Sequence, residues 1–294
     1  MSEQTAALPK PPSLALRMLR AIALLRESPV GLIGAAIIAF WTIVALFAPL
    51  LAPYDPNATI SPMLYPGQTD GQGNTFLLGT DHLGRDILSR IIYGSQRGLM
   101  LAPLATFCAY IVGIPMGLAA GYLRGKWDTV LSFVTNVILS FPVLVLYVII
   151  IATVGASAAN ILVAITFASA PGIMRIVRGL VLDLRNREYV AAAQTRGESS
   201  LFIMFVEILP NARGPIIVDA CLRLGYVIIT IGVLGFLGLG LPPPDPDWGG
   251  MINETRQLAM TFPHMAVYPC IAISSLVLGF NLLADGLREI SLRD

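Results

Sequence analysis

Charged side chains are scarce in this sequence. Asp, Glu, Lys and Arg make up 13% of its 294 residues, whereas 55% of the residues are hydrophobic. A soluble globular domain carries about 25% charged residues, so most of this surface is not suited to contact with water. The formal net charge of +1 provides no general attraction for nucleic acid. The composition therefore predicts a protein that lies mainly within a membrane.

Motifs for metal binding and nucleophilic catalysis are also missing. The three cysteines are not paired at metal-ligand spacing, and the two histidines lie far apart. The sequence has no G-x-x-x-x-G-K-[ST] phosphate-binding loop, no H-E-x-x-H and no G-x-S-x-G. We therefore expect no catalytic residue, no metal site and no cofactor site in this chain, and we expect it not to bind ATP.

Long uncharged runs predict six membrane-spanning helices. Each supplies the roughly 20 residues that cross a hydrocarbon core about 30 Å thick, and none alternates in polarity as the strands of a membrane barrel do. One run, 129–174, is twice the length of a span, and the turn-forming residues 155–160 divide it into a hairpin. The predicted spans are 30–54, 98–123, the two arms of 129–174, 214–241 and 261–284.

The basic residues predict that both termini are cytoplasmic. In that orientation fourteen of the 19 Lys and Arg residues fall in inner segments and four in outer segments, as the positive-inside rule requires. The sequence thus predicts an all-α membrane protein. Its predicted parts are a cytoplasmic segment 1–27, a first transmembrane helix 28–54, an extracytoplasmic loop 55–97, a five-helix core 98–288 with an inner loop 178–213, and a tail 289–294.

The inner loop between the fourth and fifth spans is the most informative segment. Residues 188–196 favour a short helix, and Gly197 fits the C-terminus of that helix. Ala192 and Ala193 have almost no side chain, so another surface can approach both of them closely. These residues alone leave two interpretations open: a surface helix that joins two spans, or a docking helix for a cytoplasmic partner.

This segment also carries a family resemblance. The pattern Ala192-Ala193-x-x-x-Gly197, followed by Leu209-Pro210, resembles the cytoplasmic loop signature of permeases of ATP-binding-cassette (ABC) importers. The resemblance implies the type I permease fold and a coupling helix that contacts an ATPase subunit. The family often has Glu directly before the two alanines, where this sequence has Ala191. The coupling residues implied are Glu188, Tyr189, Ala191, Ala192, Ala193, Gly197, Leu209 and Pro210.

Three further segments resemble the dipeptide and oligopeptide permeases, specifically the "C" subunit of the pair. They are residues 78–90 in the first outer loop, 236–249 after the fifth span and 280–288 near the C-terminus. The matches follow the order found in that family and extend from about residue 28 to residue 288. Their combination is far more specific than any one of them.

The outer-loop segment has a structural and a functional interpretation. Thr80 or Asp81 is expected to cap a helix that begins near His82. The alternative is a direct role in receiving a substrate-binding protein. The extracytoplasmic motif consists of Gly79, Thr80, Asp81, Gly84, Arg85 and Asp86.

Candidate gating or packing residues lie in the fifth span. Asp219 and Arg223 are spaced i, i+4 near its inner end, so we expect an ion pair there, with lining of the inner mouth of a pathway as the alternative. Gly235, Gly238 and Gly240 permit close helix packing, which would also allow movement against a partner.

The resemblance implies a permease subunit in the bacterial inner membrane that moves short peptides by alternating access. Nickel, glutathione, opines or sugars are the cargo alternatives. It implies four partners: a second, similar permease, two ATPase subunits that bind ATP and Mg, and an extracytoplasmic binding protein. A secondary transporter would need a mid-membrane ion-coupling site, and an intramembrane enzyme would need a reactive constellation; the sequence shows neither.

Overall fold

The computed structural model of the chain describes residues 28–291, and helices dominate this part. The predictions for residues 1–27 and for the end of the tail lie outside the described residues. The elements are α1 (Pro29–Leu46), α2 (Ala48–Leu51), β1 (Gln68–Thr69), β2 (Thr75–Phe76), α3 (Ile87–Leu123), α4 (Gly125–Leu139), α5 (Val143–Val154), α6 (Ala158–Leu184), α7 (Glu188–Thr195), α8 (Ser200–Phe202), a π-helix (Ile203–Ile208), α9 (Leu209–Phe236), α10 (Trp248–Thr255), a 3₁₀ helix (Arg256–Leu258) and α11 (His264–Ser291).

The long apolar helices agree with an all-α membrane protein. Within residues 28–291, five helical segments are long and apolar enough to cross a membrane: α1, α3, α6, the continuous run from α8 through α9, and α11. The pair α4 and α5 meets the same criteria together, although the two helices meet at an angle of 85°. Counting this bent pair as one span gives the six that the sequence predicts.

The bend between α4 and α5 was not predicted. It occurs at Ser140, Phe141 and Pro142, where proline lacks the N–H that would continue the helix and disfavours helical geometry in the preceding residue. The predicted hairpin turn, in contrast, is confirmed. Gly155 ends α5 with a φ of +90°, and Ser157 caps α6 by accepting a hydrogen bond from the Asn160 backbone N–H at 3.2 Å.

Helices α3 and α9 both begin earlier than the spans predicted from the uncharged runs, and α9 also ends earlier, at Phe236 rather than at residue 241. Helix α3 begins at Ile87 rather than at residue 98, and α9 begins at Leu209 rather than at residue 214. An uncharged run marks only the apolar part of a helix, whereas these helices include Arg90, Arg97 and Arg213 near their ends. The helices therefore extend beyond the segments that charge alone would delimit.

Close packing of α3 against α6 organises the core. Gly113, Gly117 and Gly121 recur every fourth residue on α3 and face Ile173, Val177 and Val181 of α6, where an added Cβ would approach the valine or isoleucine atoms to 2.6–2.7 Å. Small residues at this spacing let membrane helices approach closely. The buried apolar residues form two clusters, and the second, termed the inner cluster, joins α3, α6, α7, the π-helix and α9.

Candidate coupling helix, outer loops and mid-membrane cluster

Helix α7 confirms the short helix predicted in the inner loop. It covers Glu188–Thr195, and Gly197, which has a φ of +77°, terminates it two residues later. The Gly197 N–H donates to the Gln194 carbonyl at 3.0 Å, and the Glu198 N–H donates to the Ala193 carbonyl at 3.2 Å. This pair of bonds is the Schellman motif, in which glycine supplies the left-handed residue that ends a helix. The predicted role of Gly197 as a helix terminator is therefore confirmed.

The two alanines of the signature face different directions, so the expectation that another surface can approach both of them is wrong. Ala192 is exposed together with Ala191 and Glu188, whereas Ala193 is completely buried beside Val190. Because α7 is an α-helix, consecutive residues point about 100° apart, so both alanines cannot face the same partner. Ala193 packs inside its own chain, and close approach from outside is possible at Ala192.

The buried face of α7 fixes it to the membrane helices. Val190 and Ala193 belong to the inner cluster with residues of α6, the π-helix and α9, and Leu209 packs against the same cluster. On the surface, the Arg196 guanidinium pairs with Glu207 of the π-helix at 3.1 Å. The Gln194 amide donates to the Tyr122 hydroxyl of α3 at 3.2 Å. These contacts connect α7 directly to α3, to the π-helix and to α9.

A groove lies beside the start of α7. It has a volume of about 640 Å³ and is lined by Leu184, Asn186, Arg187, Glu188, Tyr189 and Asn211. The Tyr189 hydroxyl is buried and has no hydrogen-bond partner within residues 28–291, and desolvation by burial raises its pKa. Pro210 is exposed nearby. The exposed polar residues that line the groove are Asn186, Arg187, Glu188 and Asn211, whereas the Tyr189 hydroxyl is shielded.

In the outer loop, the predicted helix cap is wrong. Helix α3 begins at Ile87 and is capped by Asp86, whose carboxylate accepts from the Ser89 N–H at 2.8 Å. Asp81 instead closes a turn by accepting from the backbone N–H and from Nε of Arg85, at 2.9 and 2.6 Å. Gly84, with a φ of +84°, keeps this turn from becoming a helix.

The outer motif is buried and joins the two outer loops. Thr80, Asp81, Arg85 and Asp86 are each at most 6% exposed, and desolvation raises the pKa of Asp86. Arg85 also binds Glu254 of α10, which follows the fifth span. This burial favours the structural interpretation of the motif over direct contact with a binding protein. Gly79, whose φ is +80°, lies against the Leu64 carbonyl.

The three glycines at the end of the fifth span allow a turn and close approach of the backbone. Gly238, with a φ of +77°, ends α9 in a second Schellman motif. Gly235 and Gly240 both contact the carboxylate of Asp247, and a Cβ on Gly240 would lie 2.6 Å from it. Asp247 caps α10 by accepting from the Gly250 N–H at 3.0 Å, and burial raises its pKa to about 6.

Asp219 and Arg223 form the predicted ion pair, with Nε and Oδ2 2.7 Å apart. Their position differs from the prediction, because Arg223 lies halfway along α9, not near the inner end of the span. The Tyr110 hydroxyl of α3 donates to the same Asp219 oxygen. Tyr110 was missed because nothing in the sequence shows that α3 and α9 are neighbours; its only signal is a phenol within an apolar run.

Comparison with known proteins agrees with this architecture. Residues 113–294 match the family described as "Binding-protein-dependent transport system inner membrane component", and residues 18–72 match "N-terminal TM domain of oligopeptide transport permease C". The fold is similar to the MetNI methionine ABC transporter in inward-facing conformations, with a TM-score of 0.59 and 18% identity over 69% of this chain and 97% of that chain.

Several curated relatives are similar over most of their length. The dipeptide transport system permease protein DppC of Alkalihalophilus pseudofirmus is 38% identical, over 90% of this chain and 86% of that protein. The glutathione transport system permease protein GsiD of Pectobacterium atrosepticum is 38% identical, over 84% and 81%. The DppC protein of Haemophilus influenzae is 36% identical, over 88% of each. The chain therefore belongs to the family of inner membrane components of binding-protein-dependent transport systems.

Proposed function

We propose that this chain is a permease subunit of an ABC importer that carries dipeptides across the inner membrane. The observation that carries this proposal is helix α7, which exposes Glu188, Ala191 and Ala192 to the cytoplasmic side while Val190 and Ala193 anchor it to the membrane helices. Such a helix can receive force from a partner and pass it to the spans. The family membership supports this assignment.

ATP is bound and hydrolysed by partners in this proposal. The chain contributes no catalytic residue and no cofactor site, and two ATPase subunits bind ATP and Mg. A second, similar permease and an extracytoplasmic binding protein complete the importer. The groove beside α7, with the exposed side chains of Arg187 and Glu188, is where we place a polar contact from an ATPase subunit. The coupling contacts comprise Glu188, Tyr189, Ala191, Ala192, Gly197 and Pro210, while Ala193 and Leu209 hold α7 in place.

The mechanism is alternating access. ATP binding closes the ATPase pair and displaces α7. The inner cluster and the Arg196–Glu207 pair pass this displacement to α3, α6 and α9. ATP can shift the transporter between inward-facing and outward-facing states only if it binds them with different affinities. Hydrolysis and release of the products then restore the inward-facing state.

Relatives support short peptides as the cargo. The similar proteins are named for dipeptide and for glutathione transport at nearly equal identity, and glutathione is itself a short peptide. The match of residues 18–72 to an oligopeptide permease domain agrees with this class of cargo. Glutathione is therefore the second candidate cargo.

Reconstitution of the complete importer in proteoliposomes tests the proposal. The tagged chain is extracted in mild detergent, its copurifying subunits are identified by mass spectrometry, and uptake of a labelled dipeptide is measured with ATP inside the vesicles. Uptake that requires ATP and the binding protein is expected, with excess glutathione as the competitor that separates the two cargoes. Transport by the isolated chain without ATP would instead establish a secondary transporter.

A further inference from the structure

Polar side chains from two helices meet at the middle of α9. Asp219 and Arg223 lie there, and Tyr110 of α3 donates a hydrogen bond to Asp219. We term this set the mid-membrane polar cluster; its members are Tyr110, Asp219 and Arg223.

The cluster lies far from both ends of α9. Arg223 is 14 residues after the start of α9 at Leu209 and 13 before its end at Phe236, which at 1.5 Å per residue places it about 20 Å from either end. Ionisable residues within a membrane span pair with one another, face a cavity or line a pathway. The Asp219–Arg223 pair is partly exposed, and such pairs contribute little to stability, so a stabilising role alone does not account for it.

The guanidinium of Arg223 is only partly used within the chain. Its hydrogen bond to Asp219 comes from Nε, and arginine has five N–H donors in a planar fork. The two terminal nitrogens flank Gly172 of α6, where a Cβ would lie 3.3 Å from each of them. The Arg223 side chain is 19% exposed. Because residue 172 is glycine, α6 places no side chain of its own over these two nitrogens.

The terminal nitrogens of Arg223 are suited to bind one group that every unmodified peptide carries, its C-terminal carboxylate. Arginine binds carboxylates with two parallel N–H···O bonds. Every unmodified short peptide carries a C-terminal carboxylate, and a dipeptide with uncharged side chains has no net charge. The Asp219–Arg223 pair is also neutral overall, so a zwitterionic peptide can enter without leaving a net charge in the membrane.

We propose that the terminal nitrogens of Arg223 bind the C-terminal carboxylate of the peptide as it crosses the membrane. This inference rests on the proposed function. Asp219 and Tyr110 act as positioning residues, because they hold Nε and fix the plane of the fork. Asp219 also partly neutralises the positive charge of Arg223 and so weakens the attraction of Arg223 for the peptide carboxylate. Conduction requires this balance, since a site that binds too tightly does not release its cargo.

Two glycine variants on one helix test access to the terminal nitrogens of Arg223. Gly172→Val covers the terminal nitrogens, whereas Gly179→Val adds the same side chain two turns later on α6, where no atom lies within 4 Å of the added Cβ. The readout is dipeptide molecules transported per ATP hydrolysed by the reconstituted importer at saturating peptide. We expect about a tenfold loss for Gly172→Val, of the size of one charge-assisted hydrogen bond, and no loss for Gly179→Val. Equal ratios for the two variants would overturn the proposal.

Arg223 variants separate carboxylate binding from a structural ion pair. Arg223→Gln should lower the number of peptides transported per ATP by about tenfold or more. Exchanging the charges, Asp219→Arg with Arg223→Asp, restores an ion pair but moves the fork. A merely structural pair would be rescued by the exchange, and full transport by the exchanged variant would refute our proposal. Absence of dipeptide uptake by the unmodified importer would refute the proposed function itself.

Discussion

Gly197 offers the sharpest test of helix α7 as a coupling element. Its φ of +77° allows both hydrogen bonds that end the helix, and a Cβ at this position would meet no atom within 4 Å. A substitution therefore adds backbone strain without a collision. The left-handed conformation costs about 1–2 kcal/mol for a residue with a Cβ, and less for Asn. Since 1.4 kcal/mol is a factor of ten in an equilibrium, the strain should shift the equilibrium toward an unwound end of α7 by about tenfold.

A graded series measures this effect. Gly197→Asn, Gly197→Ala and Gly197→Val are compared in the reconstituted importer by the ratio of peptide transported to ATP hydrolysed. We expect this ratio to fall by about tenfold for Val, somewhat less for Ala and about twofold for Asn, in the order of their left-handed strain. Gly67→Val is the matched control, because Gly67 has a φ of +78°, has no atom within 4 Å of an added Cβ, and lies in the outer loop.

Two results would refute this reasoning in different ways. A Gly197→Val importer that transports as much peptide per ATP as the unmodified one would show that the end of α7 does not couple the ATPases to transport. If Gly197→Asn is as damaging as Gly197→Val, the side chain itself blocks a partner and backbone strain is not the cause. Membrane insertion, measured as the amount of chain extracted from the membrane, should be unchanged throughout.

The remaining predictions concern stability. Burial raises the pKa of Asp247 from 3.8 to about 6, so the folded state binds this proton more tightly than the unfolded state does. The free energy of unfolding should therefore fall by about 3 kcal/mol as the pH rises from about 4 to about 6. Asp247→Asn keeps a helix cap and should abolish this pH dependence, as measured by thermal unfolding. Gly117→Leu should remove most folded protein from the membrane, because an added Cβ lies 2.6 Å from Val177, and normal yield would contradict this. Arg85→Gln should lower the free energy of unfolding by about 3–5 kcal/mol, because it leaves Glu254 without this partner. Hydrogen exchange of α10 measures this loss, and unchanged protection of α10 would contradict the prediction.

The helical class and the number of spans could be predicted because the signals are local. Uncharged runs and basic flanks depend only on nearby residues, and Gly197 and Gly155 each mark a chain reversal that needs a positive φ. The bend at Pro142 had a local signal as well. It was missed because the uncharged run continues through it, so charge gave no boundary between α4 and α5.

Long-range contacts account for the predictions that were wrong. Asp81 and Asp86 are equally good caps by residue type, and the choice of Asp86 depends on Arg85, which holds Asp81 in the turn and reaches Glu254 on a distant segment. Similarly, Ala193 and Ala192 differ only because the inner cluster lies on one side of α7. The sequence contains the residues of each contact but not the pairing between helices.

In the proposed mechanism, the run from α8 through α9 carries both the coupling contact and the cargo contact. Glu207, which pairs with Arg196 at the end of α7, and Arg223 in the mid-membrane polar cluster belong to this run. They are separated by 16 positions, or about 24 Å at 1.5 Å per residue. We propose that a displacement of α7 is carried along this run, past Pro215, and reorients the Arg223 guanidinium. The π-helix Ile203–Ile208 lies where force enters, and such irregular turns are frequent at functional sites. Peptide release and ATP turnover can therefore be linked mechanically within a single helix.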